Sequence, residues 1–100
     1  MSRSSLCALI SLAFLASPAM AAPVHFQAQP ATQPAQARIV ARDNLWTCTP
    51  AGCSSARSST RPAIVCSTLV REIGPLTGFS AGGVAFTAEQ LEACNARARP

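Results

Sequence analysis

The sequence contains no lysine and no tyrosine, one histidine, one tryptophan and only four acidic residues. Its positive charge is carried by eight arginines, for a formal net charge of +4. It also lacks length. A chain of 100 residues holds one small domain at most, which excludes multidomain enzymes, large barrels and a full dinucleotide-binding fold. No apolar run is long enough to cross a bilayer, which takes about 20 residues. The longest, residues 6–16, has eleven and is interrupted by Ser11. A Cys-x-x-Cys pair, the usual frame for a thiol of depressed pKa, does not occur.

What is present begins with a leader. Arg3 lies in a short polar start, the apolar run follows, and Ser17-Pro18 breaks it. Ala19-Met20-Ala21 then offers small residues at the positions a signal peptidase reads. This is the layout of a secretory signal peptide over residues 1–21, cut between Ala21 and Ala22. A cut after Ala22 would put Pro23 directly behind the scissile bond. Cys7 lies too early for lipidation, and no paired arginine precedes the run, so the general export route for unfolded chains is expected. Removal of the leader leaves 79 residues, a net charge of +3 and four cysteines: Cys48, Cys53, Cys66 and Cys94. Four cysteines in an exported chain this short read as two disulfides. Without such staples, so small a chain buries too little apolar surface to be secure.

Residues 22–37 carry three prolines and four glutamines with no periodic apolar pattern, and predict a disordered or polyproline-like lead. It contains His25 and Phe26. The folded domain is expected over residues 38–100. Thr49-Pro50-Ala51-Gly52 fits a type I turn, giving a β-hairpin with strands near 44–49 and 52–57; Asp43-Asn44 marks another turn or bulge. Thr60 ahead of Pro62 signals a helix start. The helix runs to Ile73 with Val65, Cys66, Leu69 and Ile73 as its buried stripe, and Gly74-Pro75 stops it. A second hairpin follows over 76–86, around Gly82-Gly83, with Phe79 opposite Phe86. Thr87 and Gln90 form a capping box for a second helix over 88–98, with Leu91, Cys94 and Ala98 facing in. The expected fold is a small disulfide-stapled α+β domain of order hairpin, helix, hairpin, helix, resembling two tandem ββα units.

Three disulfide pairings are open. Cys48 and Cys53 flank a four-residue turn, and Cys66 and Cys94 sit on the inner stripes of the two helices, so Cys48–Cys53 with Cys66–Cys94 is favoured. Zinc would need two close pairs, whereas the gaps here are four, twelve and twenty-seven residues, so no metal site is expected. No catalytic residue is expected either. The domain has no histidine, and Glu89 and Glu92 at the start of a helix complement its dipole. The serines at 54, 55, 58 and 59 have no nearby base. Gly82-Gly83 matches no phosphate-binding pattern, so no cofactor is expected.

The arginines give a mild basic surface that could meet anionic headgroups, cell-wall polymers or nucleic acid. Arginine without lysine looks like GC-rich codon usage rather than a designed patch, and no nucleic-acid partner is expected. Trp46 is expected to cover the hairpin bridge as core, with ligand stacking as the rival role. Trp46, Pro50, Arg57 and Arg61 are therefore candidate interaction residues.

The order Leu45-Trp46-x-Cys48, Cys53, Arg61-Pro62-x-x-Val65-Cys66, Glu72-Ile73-Gly74, Phe79-Ser80-Ala81-Gly82-Gly83, Leu91 and Cys94-Asn95 resembles a family of small exported proteins of alphaproteobacteria, of unknown function. The resemblance covers about residues 43–98 and implies a periplasmic or secreted location without supplying any chemical residue. The expected function is that of a non-enzymatic binding or structural module engaging a protein or envelope component, with no membrane span after leader removal. The alternative is a small inhibitor of an extracellular or periplasmic hydrolase that inserts the 49–52 turn.

Overall fold

The computed structural model describes residues 23–99. The expected leader, its cleavage point and Cys7 lie outside the described residues. Strands β3 (Asn44–Thr49) and β4 (Gly52–Ala56) form the first hairpin, followed by helix α1 (Pro62–Ile73). Strands β5 (Leu76–Ala81) and β6 (Val84–Ala85) form the second, followed by helix α2 (Ala88–Asn95). The α+β class and the order hairpin, helix, hairpin, helix are those the sequence pattern predicts.

Two strands precede that series. β1 (Val24–Pro30) and β2 (Arg38–Ala41) join the hairpins in one six-stranded antiparallel sheet of order β2-β3-β4-β1-β5-β6. This corrects the expectation of a disordered lead over 22–37. β1 lies between the hairpins and pairs with β4 on one side and β5 on the other. The reason is a short alternation hidden among prolines and glutamines. Phe26 and Ala28 point inward and are 1% and 0% exposed, while Gln27 and Gln29 are exposed between them. The two hairpins are therefore not neighbours in the sheet; β1 joins them.

β2 returns into β3 through Arg42-Asp43, where Arg42 has φ 58°. The expected turn at Asp43-Asn44 is displaced by one residue because Asn44 is drawn into the interior. Its Nδ2 donates to Ser55 Oγ (3.1 Å) and to the Ala56 carbonyl (3.3 Å), and its Oδ1 accepts from Ser58 Oγ (3.3 Å). Ser55 Oγ donates in turn to the Leu45 carbonyl at 2.8 Å, so these two buried polar side chains are satisfied.

The core lies between the inner face of the sheet and the two helices. Phe26, Trp46 and Phe79, from three different strands, form an aromatic cluster with ring centroids 6.1–6.4 Å apart. Phe86 stacks on Phe79 at 4.6 Å, and its N–H donates to the Phe79 carbonyl, which is the expected cross-strand pair. Gly82 and Gly83 make the turn with φ of 58° and 81°, angles that glycine adopts without a Cβ penalty. α1 buries Val65, Cys66, Leu69 and Val70, and Ile73 is half-buried at the core's edge.

The helix ends differ. α1 has Arg61 at its N-cap with no side-chain cap and Pro62 in its first turn, so Thr60 does not cap it as expected. At its C-terminus the Gly74 N–H donates to the Val70 carbonyl at 2.9 Å, with φ 89° and ψ −172°. Gly74 thus takes the expected positive φ, but in an extended conformation rather than the left-handed helical one. α2 carries the complete capping box: the Gln90 N–H donates to Thr87 Oγ1 (3.2 Å), and the Thr87 N–H donates to Gln90 Oε1 (2.9 Å). It ends at Asn95, short of the expected Ala98, because Asn95 turns to β5. The Leu76 N–H donates to Asn95 Oδ1 (2.9 Å), and Asn95 Nδ2 donates to the Leu76 carbonyl (2.8 Å). One amide side chain thereby stands in for a strand partner.

Two disulfides complete the fold. Cys48 and Cys53 are direct cross-strand partners with Cα atoms 4.0 Å apart. The Cys48 N–H is turned the other way and donates to the Ala37 carbonyl, so this is a non-hydrogen-bonded pair, where side chains approach most closely. Cys66–Cys94 ties α1 to α2, with Cα atoms 5.9 Å apart.

Candidate functional site

The helices and the second hairpin do not close completely on one another. Between them runs an apolar groove of about 710 Å³. Its walls follow from the helical repeat. Pro62, Ala63 and Ile64 open α1 beside its buried stripe, and Ser67 lies one turn on. α2 contributes Gln90, Ala93 and Cys94 at helical spacing. The hairpin supplies Ala81, Val84, Ala85 and Phe86. Small residues dominate, so short side chains leave the space between the elements unfilled, while the Cys66–Cys94 bridge ties the two helices together beside it. Val84 is 71% exposed and Ile64 is 37% exposed along this groove.

The polar groups of the groove fall into two kinds. Ser67 Oγ donates to the Ile64 carbonyl, and Gln90 Oε1 accepts from the Thr87 N–H, so the serine proton and the amide oxygen are committed to the fold. Arg61, at the start of α1, and Arg97, just beyond α2, also line the groove. No lining residue is acidic.

A second, polar basin of about 660 Å³ adjoins the first and shares Arg61 and Pro62 with it. Its other lining residues include His25, Arg57, Ser58, Ser59 and Thr60. His25 is held there by β1. Its carbonyl accepts from the Gly82 N–H at 2.8 Å, and its ring meets Phe26 edge-on at 4.7 Å. A Cβ on Gly82 would come within 3.0 Å of the His25 ring, so a glycine at that turn leaves room for the imidazole.

The structure separates the four candidate interaction residues. Arg57 and Arg61 share the polar basin and are both exposed. Pro50 sits exposed at the tip of the first hairpin and lines neither cavity. Trp46 is wholly buried among Phe26 and Phe79, so it offers no surface for a ligand to stack on; this corrects its place among the interaction residues. Its Nε1 has no hydrogen-bond partner. Glu89 and Glu92 are exposed and line neither the groove nor the basin.

His25, Ile64, Val84, Phe86, Ala93 and Arg97 were missed as site residues. Ile64 left a signal, an apolar residue beside the buried stripe rather than within it. His25 left none, because its place depends on β1 pairing with β5.

No curated protein and no solved structure matches the chain. A family model does, over residues 10–96, a span that takes in every strand and helix described above. The chain belongs to that family, described as a family of unknown function (DUF8200).

Proposed function

We propose that the protein is an exported, non-enzymatic binding module of the cell envelope, and that it binds through the groove between α1, α2 and the second hairpin. The observation that carries this reading is the groove itself. It is an apolar trough with the Cys66–Cys94 bridge at its wall and two arginines among its lining residues. Sites that take ligands are concave, mostly apolar and furnished with a few placed polar groups. Export is supported by the leader pattern and by two disulfides, which persist in oxidising compartments. No helix among the described residues is long and apolar enough to cross a membrane.

The test is site-directed photo-crosslinking in living cells. A crosslinking residue at Ile64 or Val84 is expected to capture a discrete envelope component. One at Val40, 69% exposed on the opposite face of the sheet, serves as the control. Equal or absent capture at both faces would remove the reading. Amino-terminal sequencing of the protein from a periplasmic fraction checks export, with Ala22 expected as the first residue.

A second reading, inhibition of an extracellular hydrolase, draws on the tip of the first hairpin. There Pro50 and Ala51 are exposed, Thr49 Oγ1 accepts from the Ala51 N–H, and the disulfide sits immediately behind. Inhibition of periplasmic proteases or lysozymes at micromolar protein, lost on Pro50→Gly, would establish it.

A further inference from the structure

We infer that the groove takes a single-chain anionic amphiphile, an alkyl tail bearing a carboxylate or phosphate head, with the tail along the trough and the head at Arg61. This rests on the binding-module reading and names its ligand class. Three observations carry it. The trough and the basin share Arg61 and Pro62 on their walls, so the start of α1 stands between an apolar length and a polar one. The charged lining is all basic: Arg57 and Arg61 line the basin, Arg61 and Arg97 line the trough, and neither cavity has an acidic residue on its wall. Opposite charge is what such a surface complements.

The third observation separates an alkyl chain from a peptide. A bound peptide brings amide groups that need partners once water is removed. The trough has few acceptors to offer, since the Ser67 hydroxyl donates to the Ile64 carbonyl and Gln90 Oε1 is taken by the Thr87 N–H; its side-chain donors are the arginines and Gln90 Nε2. The edge of β6 is also too short to add a strand. Phe86 and Val84 face their partners on β5, so of the two residues in β6 only Ala85 turns its N–H and carbonyl outward. An alkyl chain has no such groups to leave unmet, and its burial is favourable along the whole apolar wall.

The experiment titrates the exported, processed protein with sodium decanoate and, separately, with decan-1-ol, the same tail without the charge. Calorimetry gives affinity, and ¹H–¹⁵N spectra give location. Decanoate is expected to saturate at one per protein, with shifts at Ile64, Val84, Phe86 and Ala93. Arg61→Ala is expected to weaken decanoate about tenfold and leave decan-1-ol unchanged, the loss of one charged hydrogen bond. Ala93→Phe, which fills the trough, is expected to abolish both. Should that variant fold poorly, Val84→Asp on the exposed wall is expected to weaken decanoate more than decan-1-ol.

Equal loss of both ligands on Arg61→Ala, or shifts confined to the outer sheet face, would overturn the assignment. Tighter binding of an apolar peptide than of decanoate would reassign the groove to a protein partner. Self-association that protects Ile64 and Val84 would reassign it to a second copy of the chain. If decanoate fails while a crosslinker at Ile64 still captures an envelope protein, the ligand class falls and the binding-module reading stands. If both fail, both fall.

Discussion

The two hairpin–helix units are built to different rules. The first has a hairpin of six- and five-residue strands, cross-linked by Cys48–Cys53, and a twelve-residue helix with four buried side chains. The second has a six-residue strand returning through two glycines into only two residues, and an eight-residue helix that buries Cys94 alone. In the first unit α1 packs on α2, β2 and β5, and β4 pairs with β1. The second is tied to the rest by the Cys66–Cys94 bridge and by β1 alongside β5, and within itself by the Asn95 amide on Leu76. A wall secured at a few points, and not packed across its whole face, is what leaves a groove open.

Phe26→Ala would test that contrast at its centre, since Phe26 sits in the strand that joins the units. A buried aromatic truncated to alanine costs about 3–5 kcal/mol, enough to remove most of the stability of so small a domain. Denaturant unfolding should show it, and proteolysis should reach both units together. If β1 were a dispensable lead, the same substitution would be nearly silent.

Next in size is the bridge between the helices. Replacing Cys66 and Cys94 by serine removes a link spanning 28 residues and should lower stability by about 3 kcal/mol. The Cys48–Cys53 bridge closes a much shorter loop, and its double replacement should cost only about 2 kcal/mol. Hydrogen exchange would sharpen the comparison. Loss of the first bridge should release α2 and the groove, whereas loss of the second should leave them protected. Asn95→Ala strips the Leu76 N–H and carbonyl of their partner and should cost about 1–3 kcal/mol, with exchange quickened at Leu76. The smallest effect is expected from Thr87→Ala, about 1 kcal/mol through the lost cap, visible as fraying of the first turn of α2.

Much of this architecture is legible in local residues. Gly82-Gly83, the Thr87–Gln90 box and the alternation of Trp46 and Cys48 each act within a few residues, so their signals survive without knowledge of the fold. Cys66 and Cys94 could be paired because both lie on inner helical stripes. β1 was not legible. Its pattern is four residues long, one inward position is only Ala28, and its partners Cys53 and Phe79 lie far along the chain. The same distance hid His25, whose position is set by the β5–β6 turn. Thr60 misled because Pro62 alone suffices to start α1 in the absence of a side-chain cap. The groove was only half visible: Arg61 stands out in the sequence, but alanines at 63, 81, 85 and 93 carry no sign of facing one another.

The central place of β1 also bears on timing. The strand made first must wait for residues 53–56 and then 76–81 before it has neighbours on both sides. Pairings so distant in sequence slow folding, because chain closure must precede any gain from contact. Closure of the sheet around β1 therefore waits until the last third of the chain is present, and until then the strand has an open edge.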